Sequence, residues 1–367
     1  MSYDLFLIAG EKSGDLHGER LIAALLEIDP HLKIAGVGGP LMRAHPFTCI
    51  MEMEKLQVMG FVDVFLTLPK LLFHFYKVVR SILSLHPKVV VTIDYPGFNL
   101  RLLKSLRKKG FKGKWVHFIC PSVWAWGKKR IPLMIEHLDL LLCVLPFETK
   151  LFEGTPLKTL FVGNPLLEKV RSHVDLPLEL PKGKRIISLF PGSRKKEVER
   201  NLPLMIKACE SLGSDFTFAV SVSSQGLVPQ GSFPFVYVPG HLSYELMKAS
   251  YFSIAKSGTV TLELALHRVP TVVIYATSKL DQWIAYSLLK IRLPFYCLVN
   301  IIAGKEIFKE FIGASITAKQ IAEAAVLLCD DKNREMIQNE CDHLIQTLEG
   351  HKSAKRAAEA ILFLKNS

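Results

Sequence analysis

The chain lacks the signatures of several large protein classes. Its seven cysteines among 367 residues, at 49, 120, 143, 209, 297, 329 and 341, are scattered and odd in number, with no C-x-x-C pair. Neither a disulfide framework nor a zinc cage is indicated, and a reducing cytoplasm fits best. No apolar run is long enough to span a bilayer. The most apolar stretch, Met59 to Leu72, is broken by Asp63, Pro69 and Lys70, short of the ~20 clean residues such a helix needs. The N-terminal MSYDLFLIAGEKSGD has no basic n-region and no long h-region, so it reads as a first strand and not as a signal peptide. No G-x-x-x-x-G-K-[ST] loop occurs, and Gly36-Val37-Gly38-Gly39 fails the dinucleotide spacing, so ATP hydrolysis and dinucleotide redox chemistry drop in rank. There is no repeat, no low-complexity tract and no recognised nucleic-acid-binding motif. Acidic residues are in short supply: 34 Asp+Glu against 46 Lys+Arg leave a net charge of +12. That balance favours anionic partners such as nucleotide phosphates, nucleic acid or an acidic membrane surface.

What is present is an apolar, alternating chain. With 49% hydrophobic and 22% charged residues it is globular and not disordered. At roughly 100–200 residues per domain its length predicts two domains. Short β-like runs alternate with helical patterns, the mark of a parallel α/β sheet with helices on its faces. Strands are expected at Leu5–Ala9, Ile34–Val37, Val89–Ile93, Trp115–Ile119, Leu140–Val144 and Thr159–Val162, then at Arg185–Phe190, Thr217–Ser221, Phe235–Val238, Tyr251–Ala255 and Val272–Tyr275. Pro177, Pro181 and Gly183 punctuate the stretch between the two sets. The expected division is residues 1–165, a linker over 166–183, a second domain over 184–345 and a C-terminal helix over 346–367. Two doubly wound, Rossmann-like sheets then face a cleft, with ligand at their carboxyl edges.

Two turns in the second half suit a phosphate. Strand Ile186–Phe190 runs into Pro191-Gly192-Ser193-Arg194, where glycine permits close backbone approach and Arg194 offers a fork of donors. An ordinary βα turn with a surface Arg has the same look. Ala255-Lys256-Ser257-Gly258-Thr259 opens a helix in a second small, hydroxyl-bearing turn, and Glu263 lies one turn beyond Thr259, where its carboxylate is suited to a ribose diol. A capped helix with a solvated Glu is the plain alternative.

In the first half, Gly10 to Glu19 (GEKSGDLHGE) packs charged and hydroxyl groups at a strand end, and Val89–Ile93 delivers Asp94 to a rigid Pro96-Gly97 turn. Asp94 there suits a general base, or a helix cap. Pro121-Ser122-Val123-Trp124-Ala125-Trp126 precedes Lys128, Lys129 and Arg130, which suits a sugar or an anionic headgroup; a core aromatic beside a basic surface is the alternative. Met59–Leu83 joins Phe, Leu and Val to Lys70, His74, Lys77 and Arg80, apolar bulk with a basic rim as an interfacial segment needs. Lys104, Arg107 and Lys108 recur at helical spacing and suit the same anionic lipids, as they suit a solvated face.

In this order and spacing, AGEKSGDLHG, GVGGPLM, MEKLQVMGFVDVF, IDYPGFN, PSVWAWGKKR, LPFE, FPGSR, KSGTVTLELAL and NIIAGKE closely resemble the lipid-A-disaccharide synthase family over nearly the whole chain. The resemblance implies a GT-B fold and an inverting transfer of 2,3-diacylglucosamine from its UDP derivative to 2,3-diacylglucosamine 1-phosphate. It implies no metal or other cofactor and peripheral attachment to the cytoplasmic face of the inner membrane. It also implies a C-terminal segment packed on the N-terminal domain or exchanged in a homodimer. On it, Asp94 and Glu11 are catalytic. Gly192, Ser193, Arg194, Ser257, Gly258, Thr259, Glu263 and Asn300 bind UDP. Ser13, Asp15, Asn99, Ser122, Trp124, Lys128 and Arg130 bind the acceptor, and Val64, Phe65, Leu68, Leu71 and Leu72 touch the membrane. Gly127, Asn164, Ala276 and Val299 depart from the family's usual residues, which removes two cations and an imidazole. A wall-synthesis UDP-N-acetylglucosamine transferase or a non-hydrolysing epimerase shares the fold, but an epimerase of soluble sugar nucleotides needs no apolar surface like Met59–Leu83. A non-catalytic nucleotide-binding membrane protein is the other class, and Asp94 with the donor loops speaks against it.

Overall fold

The computed structural model describes residues 3–56, 61–125, 127–222, 233–284, 287, 293–350 and 352–367, with the side chains of 61–68 left out. Two compact units result, one of residues Met1–Pro165 with Gly350–Ser367 and one of Leu166–Glu349.

The first unit is built on β1 (Leu5–Ala9), β2 (Ile34–Gly38), β3 (Thr48–Glu52), β4 (Val89–Ile93), β5 (Lys114–Phe118), β6 (Leu140–Cys143) and β7 (Lys158–Phe161). They are ordered β3-β2-β1-β4-β5-β6-β7, and each pairing is parallel. Both faces of this sheet are covered, which is why its inner strands read as unbroken apolar runs. Along β1, Phe6 and Ile8 enter one buried cluster with Val78, Val79 and Ile82 of the helix Phe61–Leu85. Leu5, Leu7 and Ala9 enter the opposite one with Leu21, Ile22 and Leu25 of the helix Lys12–Ile28. The C-terminal helix Ser353–Asn366 closes that second face through Ala357, Ala358 and Ile361, and Lys365 reaches Asp29 at 3.5 Å.

The second unit repeats the plan with β8 (Arg185–Phe190), β9 (Phe216–Val222), β10 (Phe235–Pro239), β11 (Ser250–Lys256), β12 (Thr271–Ala276) and β13 (Glu310–Gly313). The order is β10-β9-β8-β11-β12-β13, again parallel throughout. Residues 166–183, read from sequence as a linker, belong to this unit: Val170, Leu178 and Leu180 pack on its buried cluster, and Leu176 N–H donates to Glu245 at 3.0 Å.

Two strands escaped the sequence reading. β3 and β13 are edge strands, each paired on one side only and largely unburied, so neither needs the two-faced apolar run that marks an inner strand. No helix among the described residues is long and apolar enough to cross a membrane.

The C-terminal helix gives a direct test of this packing. Ile361 is fully buried whereas Phe363, two residues on, is 75% exposed. Chemical denaturation should show Ile361→Ala losing about 2–5 kcal/mol and Phe363→Ala changing stability by no more than about 0.5 kcal/mol.

Candidate functional site

In each sheet the strand order reverses beside the first strand, between β1 and β4 and between β8 and β11. Connections leave in opposite directions at such a point, so the carboxyl edge is left open there and ligands bind in the gap.

In the second unit that edge holds a pocket of about 620 Å³ lined by the ends of β8, β9, β10 and β11. After β8 the chain turns at Gly192, with φ +125°. A Cβ there would stand 2.7 Å from that of Glu197, so only glycine fits. Glu197, on the helix Lys195–Glu210, accepts from Ser193 N–H at 3.2 Å and Arg194 at 3.3 Å, and pairs with Lys256 at 3.4 Å. Burial alone would raise its carboxyl, but Lys256 and the Ser193 and Arg194 amides outweigh burial and hold it below the usual range. Lys256 is thus a partly buried cation at the pocket wall, whereas the Arg194 side chain is 82% exposed and lies outside the lining.

Gly258 and Thr259 line the same pocket where the helix Thr259–Leu266 begins, and its first amides supply positive potential. Ser257 stands beside them with its hydroxyl donated to Tyr296 O at 3.0 Å. Glu263 also lines the pocket and accepts from the Tyr244 hydroxyl at 2.6 Å. Tyr237 within β10 and His241 just beyond its end line the wall as well, with Lys256 and Glu197. Sequence reading missed these four; the signal available was a place in the carboxyl half of a strand, just past its end or in the first turn of the helix that follows.

Asn300 does not belong to this pocket. It is fully buried, donating to Phe308 O at 2.7 Å and accepting from the Ile307 and Phe308 amides at 2.8 and 2.9 Å. Its amide closes the 300–308 loop, so the expected contact with UDP is corrected to a structural one.

In the first unit, Glu11 and Asp94 stand at the ends of β1 and β4. Asp94 and Tyr95 both take the left-handed backbone, each at φ +48°. Two such non-glycine residues in succession are strained, a condition that clusters at functional sites. The turn is held by Asp94 N–H donating to Phe118 O at 2.9 Å and by the buried Asn99 amide donating to Asp94 O at 2.6 Å. Gly10 makes room for the Tyr95 ring, since a Cβ there would lie 2.3 Å from it. Burial raises the Asp94 carboxyl, only partly countered by the Tyr95 amide. Burial and then the charge of Asp94 raise Glu11. Neither acid has an ion-pair partner among the described residues.

The remaining expectations divide. Ser13 and Ser122 are exposed, Lys128 is exposed and Arg130 half-buried, while Trp126 falls outside the described residues. Trp124 packs edge-on against Phe147 at 5.6 Å. Gly127, one of the departures, sits at φ +80°, which disfavours any side chain. Asp15 is corrected: it is buried and accepts from the amides of Gly39, Leu41 and Met42 at 2.8–3.1 Å, capping the short helix Pro40–Arg43. Leu71 is corrected as well, since it packs against the core, while Leu72, Phe73 and Tyr76 are 48, 67 and 58% exposed. The side chains of Val64, Phe65 and Leu68 lie outside those described.

Two Rossmann-like sheets, one of them opening on a pocket suited to a nucleotide, define the GT-B class. Solved structures agree on the fold. The chain is similar to the calicheamicin glycosyltransferase CalG4, with TM-score 0.58, 13% identity and coverage of 99% of this chain and 98% of that one. It is similar also to UDP-GlcNAc 2-epimerase from Neisseria meningitidis bound to UDP-GlcNAc, with TM-score 0.56, 10% identity and 98% coverage of each. A model of the lipid-A-disaccharide synthetase family matches residues 5–363, and the chain belongs to that family. The lipid-A-disaccharide synthase of Chlamydia trachomatis serovar D is 37% identical over 379 residues, covering 99% of this chain. The chain spans 62% of that relative's length. The synthase of Azotobacter vinelandii is 34% identical over 376 residues, covering 98% of this chain and 97% of its own.

Carboxyl titration followed by NMR tests the coupling at the first site. Asp94→Asn should bring the Glu11 titration down, because the Asp94 charge that opposes its ionisation is gone. Separately, Gly192→Ala should cost of order 1–3 kcal/mol of stability, the scale of a strained backbone position, as read by denaturant unfolding.

Proposed function

We propose that the chain transfers 2,3-diacylglucosamine from its UDP derivative to 2,3-diacylglucosamine 1-phosphate, releasing UDP and forming the β-1',6-linked lipid A disaccharide 1-phosphate. The observation that carries this reading is the family match across residues 5–363, which takes in both the Asp94 turn and the Glu263 pocket. In the proposed step the acceptor's 6-hydroxyl oxygen attacks the donor's anomeric carbon. The bond from that carbon to the diphosphate breaks, its electron pair leaves with UDP, and Asp94 takes the hydroxyl proton. A direct displacement of this kind inverts the anomeric configuration. Desolvation suits Asp94 to the work, since a base whose carboxyl is raised above the ordinary aspartate range holds a proton more tightly.

Charge on departing UDP has to be met by fixed groups, and preorganised electrostatics of this kind usually carry the largest share of a rate enhancement. Lys256 and the amides at the start of the helix Thr259–Leu266 are assigned that role, with Arg194 at the rim. Glu263 is assigned to the ribose. Glu11, Ser13, Ser122, Trp124, Lys128 and Arg130 are assigned to the acceptor side, while the buried Asn99, expected there too, instead holds the Asp94 turn. Leu72, Phe73 and Tyr76, exposed on one helix with Lys70, Lys77 and Arg80, are assigned to the cytoplasmic face of the inner membrane, where both lipid substrates reside.

Purified protein in detergent, given both diacylated sugars, should yield UDP and the disaccharide; absence of product with either short or long acyl chains overturns the reading. Asp94→Ala should lower turnover by roughly 10²–10⁴-fold with UDP affinity by calorimetry unchanged. The raised carboxyl sets the sign of the pH dependence: the base works ionised, so turnover falls with pH through a point above the ordinary aspartate value of 3.8.

A further inference from the structure

Glu263 is held in a way that a solvated carboxylate is not. Its side chain is only 16% exposed, and both of its contacts fall on Oε1: the Tyr244 hydroxyl donates across 2.6 Å and the Lys169 ammonium stands at 3.6 Å. Among the described residues no hydrogen bond falls on Oε2, the oxygen left for whatever enters the pocket.

The phenol that does this holding is itself immobile. Tyr244 is 4% exposed. His173 meets its ring edge-on at 4.9 Å, His267 lies tilted against it at 5.0 Å, and the Lys169 ammonium sits 5.0 Å above its centroid. His173 is pinned in turn by Glu245 at 2.7 Å. His267 Nδ1 lies 2.8 Å from Glu263 O. Since a carbonyl only accepts, Nδ1 carries the proton, and the same histidine ties the turn that bears Glu263 to the ring that orients its carboxylate. Burial, followed by the bond to Glu263, raises the Tyr244 hydroxyl well above its ordinary value, so it remains a donor. The side chain is thus fixed at one oxygen before any ligand arrives, and the ordering entropy a mobile carboxylate would lose on binding is already met.

We infer that Tyr244, backed by Lys169, is a positioning residue that makes the pocket selective for a ribonucleotide: by holding Oε1 of Glu263 it aims Oε2 at the vicinal diol of ribose. The inference rests on the nucleotide reading of this pocket. A site built to bond a hydroxyl rejects the analogue that lacks it, because the partner is then left unpaired. UDP should therefore bind more tightly than 2'-deoxy-UDP by roughly 10- to 100-fold, the range of one hydrogen bond to a charged group.

Calorimetric titration of the full chain with UDP and with 2'-deoxy-UDP tests this. Tyr244→Phe removes one oxygen and keeps the ring contacts, and Lys169→Met removes the half-exposed ammonium beside Glu263. Both should keep the wild-type fold by circular dichroism, with Tyr244→Phe losing some thermal stability along with its hydrogen bond to the carboxylate. The ratio of the two affinities should fall to within about 3-fold for Tyr244→Phe and partway for Lys169→Met, with the loss falling on UDP. A merely structural role would weaken both nucleotides alike and leave the ratio in place. If wild type prefers UDP and both variants keep that preference, the positioning role is overturned while the pocket's assignment stands. If wild type binds the two equally, Glu263 does not read the diol. If it binds neither, the nucleotide reading itself fails.

Discussion

Coverage of a parallel sheet on both faces is the constraint on which the rest depends. Once helices close the two faces, buried polar groups there need partners within the protein, and open chemistry is confined to the carboxyl edge where connections diverge. The ends of β1 and β4 carry Glu11 and Asp94, and those of β8 and β11 lead into Gly192, Lys256 and Gly258. The strained pair Asp94–Tyr95 fits that picture. A turn at φ +48° twice over persists because its amide and carbonyl are tied to Phe118 and Asn99.

The two units use the same edge for opposite electrostatic ends. In the second, Glu197 meets Lys256, and Glu263 meets Tyr244 and Lys169, so the acids are compensated and the wall keeps a helix N-terminus for an anion. In the first, half-buried Asp94 and the exposed Glu11 beside it have no compensating cation among the described residues, and both carboxyls move up. One arrangement suits a diphosphate and the other suits a proton. The glycosyl transfer proposed above needs both.

Beyond the linker and the two edge strands, the sequence reading and the structure differ in side-chain direction. Asp15, Asn300 and Leu71 are polar or apolar in the expected places, yet each turns inward, to a cap, a loop closure and a core. The exposed Arg194 drew attention as the diphosphate's cation, while Lys256, one strand over, is the one at the pocket wall. The helix Phe61–Leu85 shows the same split: adjacent Leu71 and Leu72 differ only in which way the helix turns them.

Sequence alone determined that two parallel sheets form, where their inner strands lie, and which strand ends carry glycine, hydroxyls and acids. Two-faced burial writes inner strands as continuous apolar runs, and turn chemistry is local. The edge strands β3 and β13 escaped because one-sided pairing demands no such run. Only the tertiary structure decided that Glu263 answers to Tyr244 and Lys169, residues 19 and 94 positions away, and that Glu197 answers to Lys256, 59 positions on. Ion pairs and hydrogen bonds act over a few ångströms of space, and the chain encodes such nearness only through the fold it adopts.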